Sequence, residues 1–90
     1  MPTITTVNPA TGEEIENYDT LSREEACAKV DACHKAFEDW KLTSHEERAT
    51  VLRGIGKALR DNKEQLAEQM TREVGKLIGD SRDEVELCAA

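Results

Sequence analysis

The chain is poor in aromatic side chains, with one Phe, one Trp and one Tyr in 90 residues. Any core must therefore rest on Leu, Ile, Val, Ala and Met, at a length where burial only just offsets chain entropy. A free domain of this size usually adds disulfides, a metal or a partner. No apolar run approaches the length of a bilayer span, so a membrane role is not expected. No stripe of Lys and Arg offsets the formal net charge of -7, which repels polyanions and argues against nucleic acid as a partner. The three cysteines, Cys27, Cys33 and Cys88, are odd in number and lack short paired spacing. That pattern suits reduced thiols better than a disulfide framework or a zinc site. Met1 is followed by Pro2 and Thr3 with no basic and apolar leader, so a cytoplasmic location is expected.

What is present reads as an α+β, mostly helical chain: a β-hairpin over 3–18, then helices over 22–90. Thr3 to Val7 is a β-branched run, and Glu13 to Tyr18 alternates around Ile15. Between them, Asn8-Pro9-Ala10-Thr11-Gly12 supplies a preset φ at Pro9 and a positive φ at Gly12. An isolated hairpin is marginal in water, so it needs something to lie on.

Ser22 with Glu25 is a capping box for a helix running to about Lys41, with Ala26, Val30, Cys33, Phe37 and Trp40 on one stripe. Ser44 with Glu47 opens a second helix to about Asn62, with Leu52, Ile55, Gly56 and Leu59 on its expected buried face. Gly54 and Gly56 each cost about 1 kcal/mol against Ala inside a helix. Close approach of a neighbour would account for Gly56; nothing accounts for Gly54. Asn62 with Gln65 suggests the start of a third helix, striped by Leu66, Met70, Val74 and Leu77. Gly79-Asp80 is expected to break it, and Ser81 with Glu84 to cap a fourth. Only Asp83 to Ala90 would follow that box, which suggests a helix cut short and a chain that is part of a larger protein.

Several side chains invite a chemical reading. Cys27, Asp31 and His34, at i, i+4 and i+7, share one side of the first helix and could bind a metal, although no fourth ligand has a recognisable spacing. The simpler alternative is the chance flank of a half-buried stripe. Cys33 lies on the stripe as a small core residue, and it cannot pair with adjacent His34 for nucleophilic chemistry. His45, in the first turn of the second helix, reads as a solvated residue. Gly54-Ile55-Gly56 lies within a helix and lacks the spacing of a phosphate-binding loop. Glu73 is less easily dismissed. It falls inside the third helix's apolar stripe, between Met70 and Leu77, where a carboxylate loses solvation and needs a cation, a donor or a raised pKa. A structural ion pair or a partly wet edge is the plain alternative.

Taken in order, several segments resemble the N-terminus of the aldehyde dehydrogenase superfamily. They are Val7-Asn8-Pro9-Ala10-Thr11-Gly12-Glu13, Ala36-Phe37 with Trp40, Glu47-Arg48-Ala49 with Leu52, Glu64 to Ala67, Met70-Thr71-Arg72-Glu73-Val74-Gly75-Lys76, and Glu84-Val85. The start before Asn-Pro-Ala-Thr-Gly and the Thr-Arg-Glu-x-Gly-Lys segment look most like the bacterial succinate-semialdehyde dehydrogenase branch. Leu77 departs from the Pro that many members carry there.

The resemblance implies an α/β parent enzyme that uses NAD or NADP to oxidise an aldehyde through a cysteine thioester hydrolysed by glutamate-activated water. The family's nucleophile lies in a Gly-Gln-x-Cys context that none of the three cysteines has, and its Glu-Leu-Gly-Gly segment is also missing. No catalytic or cofactor-binding residue is therefore expected within these 90 residues. The resemblance further implies a structural Na or K ion held by backbone oxygens at Thr6 and Val7 and by the acidic Glu73, an oxygen-only set that suits a hard cation. The expected partners are the remainder of the same polypeptide and further copies in a homo-oligomer. Rival readings are a free-standing helical protein-interaction module, which would need a self-contained core, and a small helical metal or redox protein using Cys27, Asp31 and His34.

Overall fold

The computed structural model describes residues 2–90. Two strands, β1 (Thr3–Val7) and β2 (Glu14–Asp19), precede four helices: α1 (Arg23–Trp40), α2 (His45–Asp61), α3 (Lys63–Val74) and α4 (Ile78–Ala89). The strands form the expected antiparallel hairpin, pairing Thr3 with Asp19 through Thr6 with Glu16. The register then shifts so that Val7 pairs with Glu14, leaving Ile15 as the extra residue of a bulge. The connecting turn closes through Asn8 N–H to Glu13 O at 2.8 Å and Gly12 N–H to Asn8 O at 2.7 Å. The Asn8 side chain accepts from Ala10 N–H at 2.9 Å, and Gly12 takes φ +77°.

Both strong capping boxes form. Ser22 and Ser44 accept from the N–H of Glu25 and Glu47, whose carboxylates accept in return from the two serine N–H groups. The other two helix starts differ from expectation. Asn62 does not cap α3; its side-chain amide turns back to donate to Ala58 O at 2.8 Å, so it closes α2 instead. A single residue therefore separates α2 from α3.

The boundary between α3 and α4 is the larger correction. α3 stops at Val74 because Gly75 adopts φ +79°, the left-handed C-cap position, and donates to Thr71 O at 3.0 Å. Leu77 thus leaves the α3 stripe and lies 74% exposed. α4 begins at Ile78 and runs through Gly79 and Asp80, so these residues break nothing. Ser81 is not a cap. Its N–H already donates to Leu77 O at 2.9 Å, and its hydroxyl is fully buried 3.0 Å from that of Thr71. Ile78, Ser81, Val85 and Ala89 recur at three- and four-residue spacing and form the packed side of α4. Burying that stripe outweighs the propensity cost of Gly79. The fourth helix therefore has 12 residues rather than a barely begun body.

Packing among the helices is concentrated where α3 and α2 meet α4, while α3 touches β1 only lightly. Ala67 and Val85 are the buried apolar side chains of this seam. Gly56 is buried because α4 comes very close: a Cβ there would lie 2.7 Å from the Ala89 carbonyl oxygen. That is the close approach expected for Gly56, while Gly54 faces open space.

The apolar stripes expected elsewhere are largely uncovered. α1 has no buried residue and makes no substantial contact with another element, so Val30 remains 68% exposed and Phe37 and Trp40 stay open. On α2 only Gly56 is buried; Leu59 is half-buried, whereas Leu52 is 65% exposed. On α3, Leu66 and Met70 are half-buried but Val74 is exposed. The molecule is accordingly flat and extended, 48 × 36 × 14 Å. Its radius of gyration is 17.3 Å, against about 12 Å for a compact chain of this length.

Candidate functional site

The hairpin reaches the helices at two places, and both use residues singled out from the sequence. At the first, the turn lies on the α3 C-cap: a Cβ at Gly75 would sit 3.0 Å from Pro9 Cγ. The Asn-Pro-Ala-Thr-Gly turn and the Glu-Val-Gly-Lys segment, distant in sequence, thus meet face to face. Gly75 serves this contact twice, through its positive φ and through its missing side chain.

At the second, β2 and α3 border a groove of about 260 Å³ lined by Ile15, Glu16, Tyr18, Gln65, Glu68, Gln69, Arg72 and Glu73. The bulge brings both Ile15 and Glu16, neighbours in sequence, to this groove. Glu73 is half-buried here, as its place in the α3 stripe required. Its carboxylate has neither a hydrogen bond nor an ion pair among the described residues. Thr6 is half-buried on β1 opposite Glu16, and its hydroxyl donates to Glu16 O at 3.4 Å; Val7 follows at the bulge. The three predicted ion-binding positions therefore lie on β1 and α3, elements that touch. The groove's donors are mostly carboxylate, amide and hydroxyl oxygens, with Arg72 as the competing positive charge. Of the three predicted positions, only Glu73 lines this groove; Thr6 and Val7 do not.

The other candidates stay apart. Cys27, Asp31 and His34 are all exposed along α1, and among the described residues no group of three His, Cys, Asp or Glu side chains converges enough to hold a metal ion. All three cysteines are free and exposed. Cys33 lies on the apolar side of α1, where it lines an open groove of about 550 Å³ with Phe37, Trp40 and Thr43. It is not the core residue expected, because nothing packs over it. His45 is exposed at the start of α2, as expected.

Sequence reasoning missed the buried Thr71–Ser81 hydroxyl pair and the charge cluster around α4. Recognising Gly75 as a helix stop would have placed Ser81 and Val85 on a common buried stripe. Glu86 accepts from Arg60 Nε at 3.4 Å and lies 3.2 Å from Lys63 Nζ. The Lys63 and Arg60 bonds hold its carboxyl below its ordinary pKa. Lys76 binds Glu84, and Lys57 binds Asp61 at 2.6 Å; each hydrogen bond raises the pKa of its lysine. Arg82 Nε donates to both Glu64 oxygens, at 3.0 and 3.2 Å. Among the described residues, no helix is long and apolar enough to cross a membrane.

The chain is 39% identical over 79 residues to the Escherichia coli K12 protein named succinate semialdehyde dehydrogenase [NAD(P)+] Sad, covering 88% of this chain and 17% of that protein. It is 32% identical over 85 residues to the succinate-semialdehyde dehydrogenase [NADP(+)] of Deinococcus radiodurans, covering 94% of this chain and 18% of the relative. A Mycobacterium tuberculosis H37Rv protein, succinate-semialdehyde dehydrogenase [NADP(+)] 1, is 33% identical over 86 residues, covering 96% and 19%. The chain thus spans less than a fifth of the length of these curated relatives. With residues 2–90 matching the profile of the aldehyde dehydrogenase family throughout, the chain belongs to that family.

Proposed function

We propose that this chain is the N-terminal part of the cofactor-binding domain of a cytoplasmic, homo-oligomeric NAD(P)-dependent dehydrogenase that oxidises succinate semialdehyde to its acid. The observation that carries the reading is the set of relatives that share 30–39% identity with the chain and are named for that substrate. When bound, the nicotinamide supplies the hydride acceptor for aldehyde oxidation. No residue of this chain is assigned to the nicotinamide or to the reacting aldehyde; its role is architectural. The open faces of α1 and α2 support that role, since exposed apolar stripes of this extent call for cover by further protein. The remainder of the same polypeptide is the cover this reading assigns.

Within the segment, Glu73 and the backbone oxygens of Thr6 and Val7 would hold a Na or K ion between hairpin and α3. The half-buried, unpartnered Glu73 carboxylate supports that assignment. A free-standing interaction module is the second reading, and the same open faces would suit it. It is weakened by a core with Ala67 and Val85 as its buried apolar side chains.

The test is a reading frame continued beyond Ala90, expressed and assayed for reduced-nicotinamide formation with succinate semialdehyde and either NAD or NADP. Turnover by the longer protein and none by the 90-residue chain is the expected result. Turnover by the 90-residue chain would overturn the architectural role. NAD(P) binding by the longer protein without aldehyde oxidation would count against the substrate assignment.

A further inference from the structure

Ala26, Val30, Cys33, Phe37 and Trp40 form one face of α1, and among the described residues no other element packs substantially on it. Cys33, Phe37, Trp40 and Thr43 wall the open groove of about 550 Å³. The charges bordering this face are of one sign. At about 100° per residue, Lys29 and Lys41 fall about 60° to either side of the stripe. Glu24, Glu25, Asp31, Glu38 and Asp39 all lie about 100° or more from its centre. Lys41 Nζ stands 5.7 Å from the centre of the Phe37 ring. At the end of the groove, the Arg48 guanidinium donates to Thr43 O at 2.8 Å, while its buried Nε has no acceptor. Neither Lys41 nor Arg48 forms an ion pair among the described residues. Asp39 is the one carboxylate among the residues lining the groove.

A chain with 19 acidic and 12 basic side chains thus borders an apolar face with lysines. A second copy is a poor occupant, because it would gather the lysines of both copies along one seam. We propose that the α1 stripe is the docking face for a segment of the same polypeptide beyond Ala90, whose apolar side chains are bordered by carboxylates that close on Lys41 and Arg48. The matched part is only 17% to 19% of each relative, so ample chain remains to supply that segment. Docking covers Phe37 and Trp40, gives the guanidinium an acceptor, and takes Lys41 out of water only beside a counter-charge. The inference rests on the reading of this chain as part of a longer dehydrogenase, and adds the chemistry of what covers α1.

The test uses the longer protein encoded by the reading frame continued beyond Ala90. Carbodiimide coupling joins an amine to a carboxylate in direct contact, forming an amide while the reagent leaves as its urea, and peptide mass spectrometry locates the link. Lys41 should link to an Asp or Glu beyond Ala90 of the same chain. In the same protein, Cys33 on the stripe should react with a maleimide about ten-fold more slowly than Cys27, which lies off it. Lys41→Glu should narrow that difference, whereas Lys41→Arg should keep it, because arginine retains the charge. Lys41 left unlinked, linked only within residues 2–90, or linked to an isotope-labelled second copy would overturn the proposal. So would equal rates at Cys33 and Cys27. Aldehyde oxidation, read on the same preparation, separates the two readings. Turnover with Cys33 fully reactive sinks the docking face alone, and protection without turnover sinks the enzymatic reading alone.

Discussion

Gly54 and Gly56 lie two residues apart on α2, yet the same substitution should act on them with opposite sign. Alanine is favoured over glycine inside a helix by about 1 kcal/mol. At Gly54 nothing lies within 4 Å of the added methyl, so Gly54→Ala should gain most of that amount. At Gly56 the methyl would stand 2.7 Å from Ala89 O, 3.7 Å from its carbonyl carbon and 3.9 Å from its Cα. The obstacle is backbone, so rotating a side chain cannot relieve it, and either the helices separate or the last turn of α4 frays. Overpacking of this kind costs about 1–3 kcal/mol, and fraying keeps the penalty toward the lower end. Gly56→Ala should therefore be neutral to about 1 kcal/mol destabilising, leaving a gap of about 1–2 kcal/mol between the two variants. Urea unfolding followed by far-ultraviolet circular dichroism measures both, with equal slopes confirming that stability alone has changed. If Gly56→Ala stabilises as much as Gly54→Ala, the close approach of α4 to α2 is wrong.

Gly75→Ala should destabilise by about 1–2 kcal/mol, because an L-residue is forced to φ +79°. Gly75→Asn should cost less, since asparagine tolerates that region, although either side chain still meets Pro9 Cγ. Urea midpoints of the two variants give the comparison. Glu86, whose carboxyl is held below its ordinary 4.5 by Lys63 and Arg60, should make stability depend on pH in one direction. Its contribution is complete above the unfolded-state pKa and is lost as pH falls through the lower folded-state value. The stability gap between the parent chain and Glu86→Gln should close on acidification below about pH 4. A gap that persists or widens there would exclude the pairing.

Much of the hairpin and of α1 and α2 was legible in the sequence because their signals are local. A turn needs Pro9 and Gly12 at set positions, and a capping box needs only Ser22 with Glu25, or Ser44 with Glu47, to satisfy its own backbone. The motif order that carries family membership is legible in the same way. For the candidate ion site, the sequence placed Glu73 within an apolar stripe, and in the structure it is half-buried in the groove between β2 and α3.

The α3–α4 boundary was decided elsewhere. Ser81 and Glu84 have the spacing of a capping box, but the same spacing also occurs inside a helix, and the local pattern does not separate the two. What selected the interior position was Gly75 stopping α3 early and the gain from burying Ser81 and Val85 against α3. Asn62 likewise had two sets of backbone groups within reach and served the preceding helix. Periodicity correctly identified one apolar face on α1, but no pattern along a single chain states what covers a face. That depends on which surfaces lie within about 4 Å in three dimensions, and for α1 no substantial packing is supplied from among the described residues.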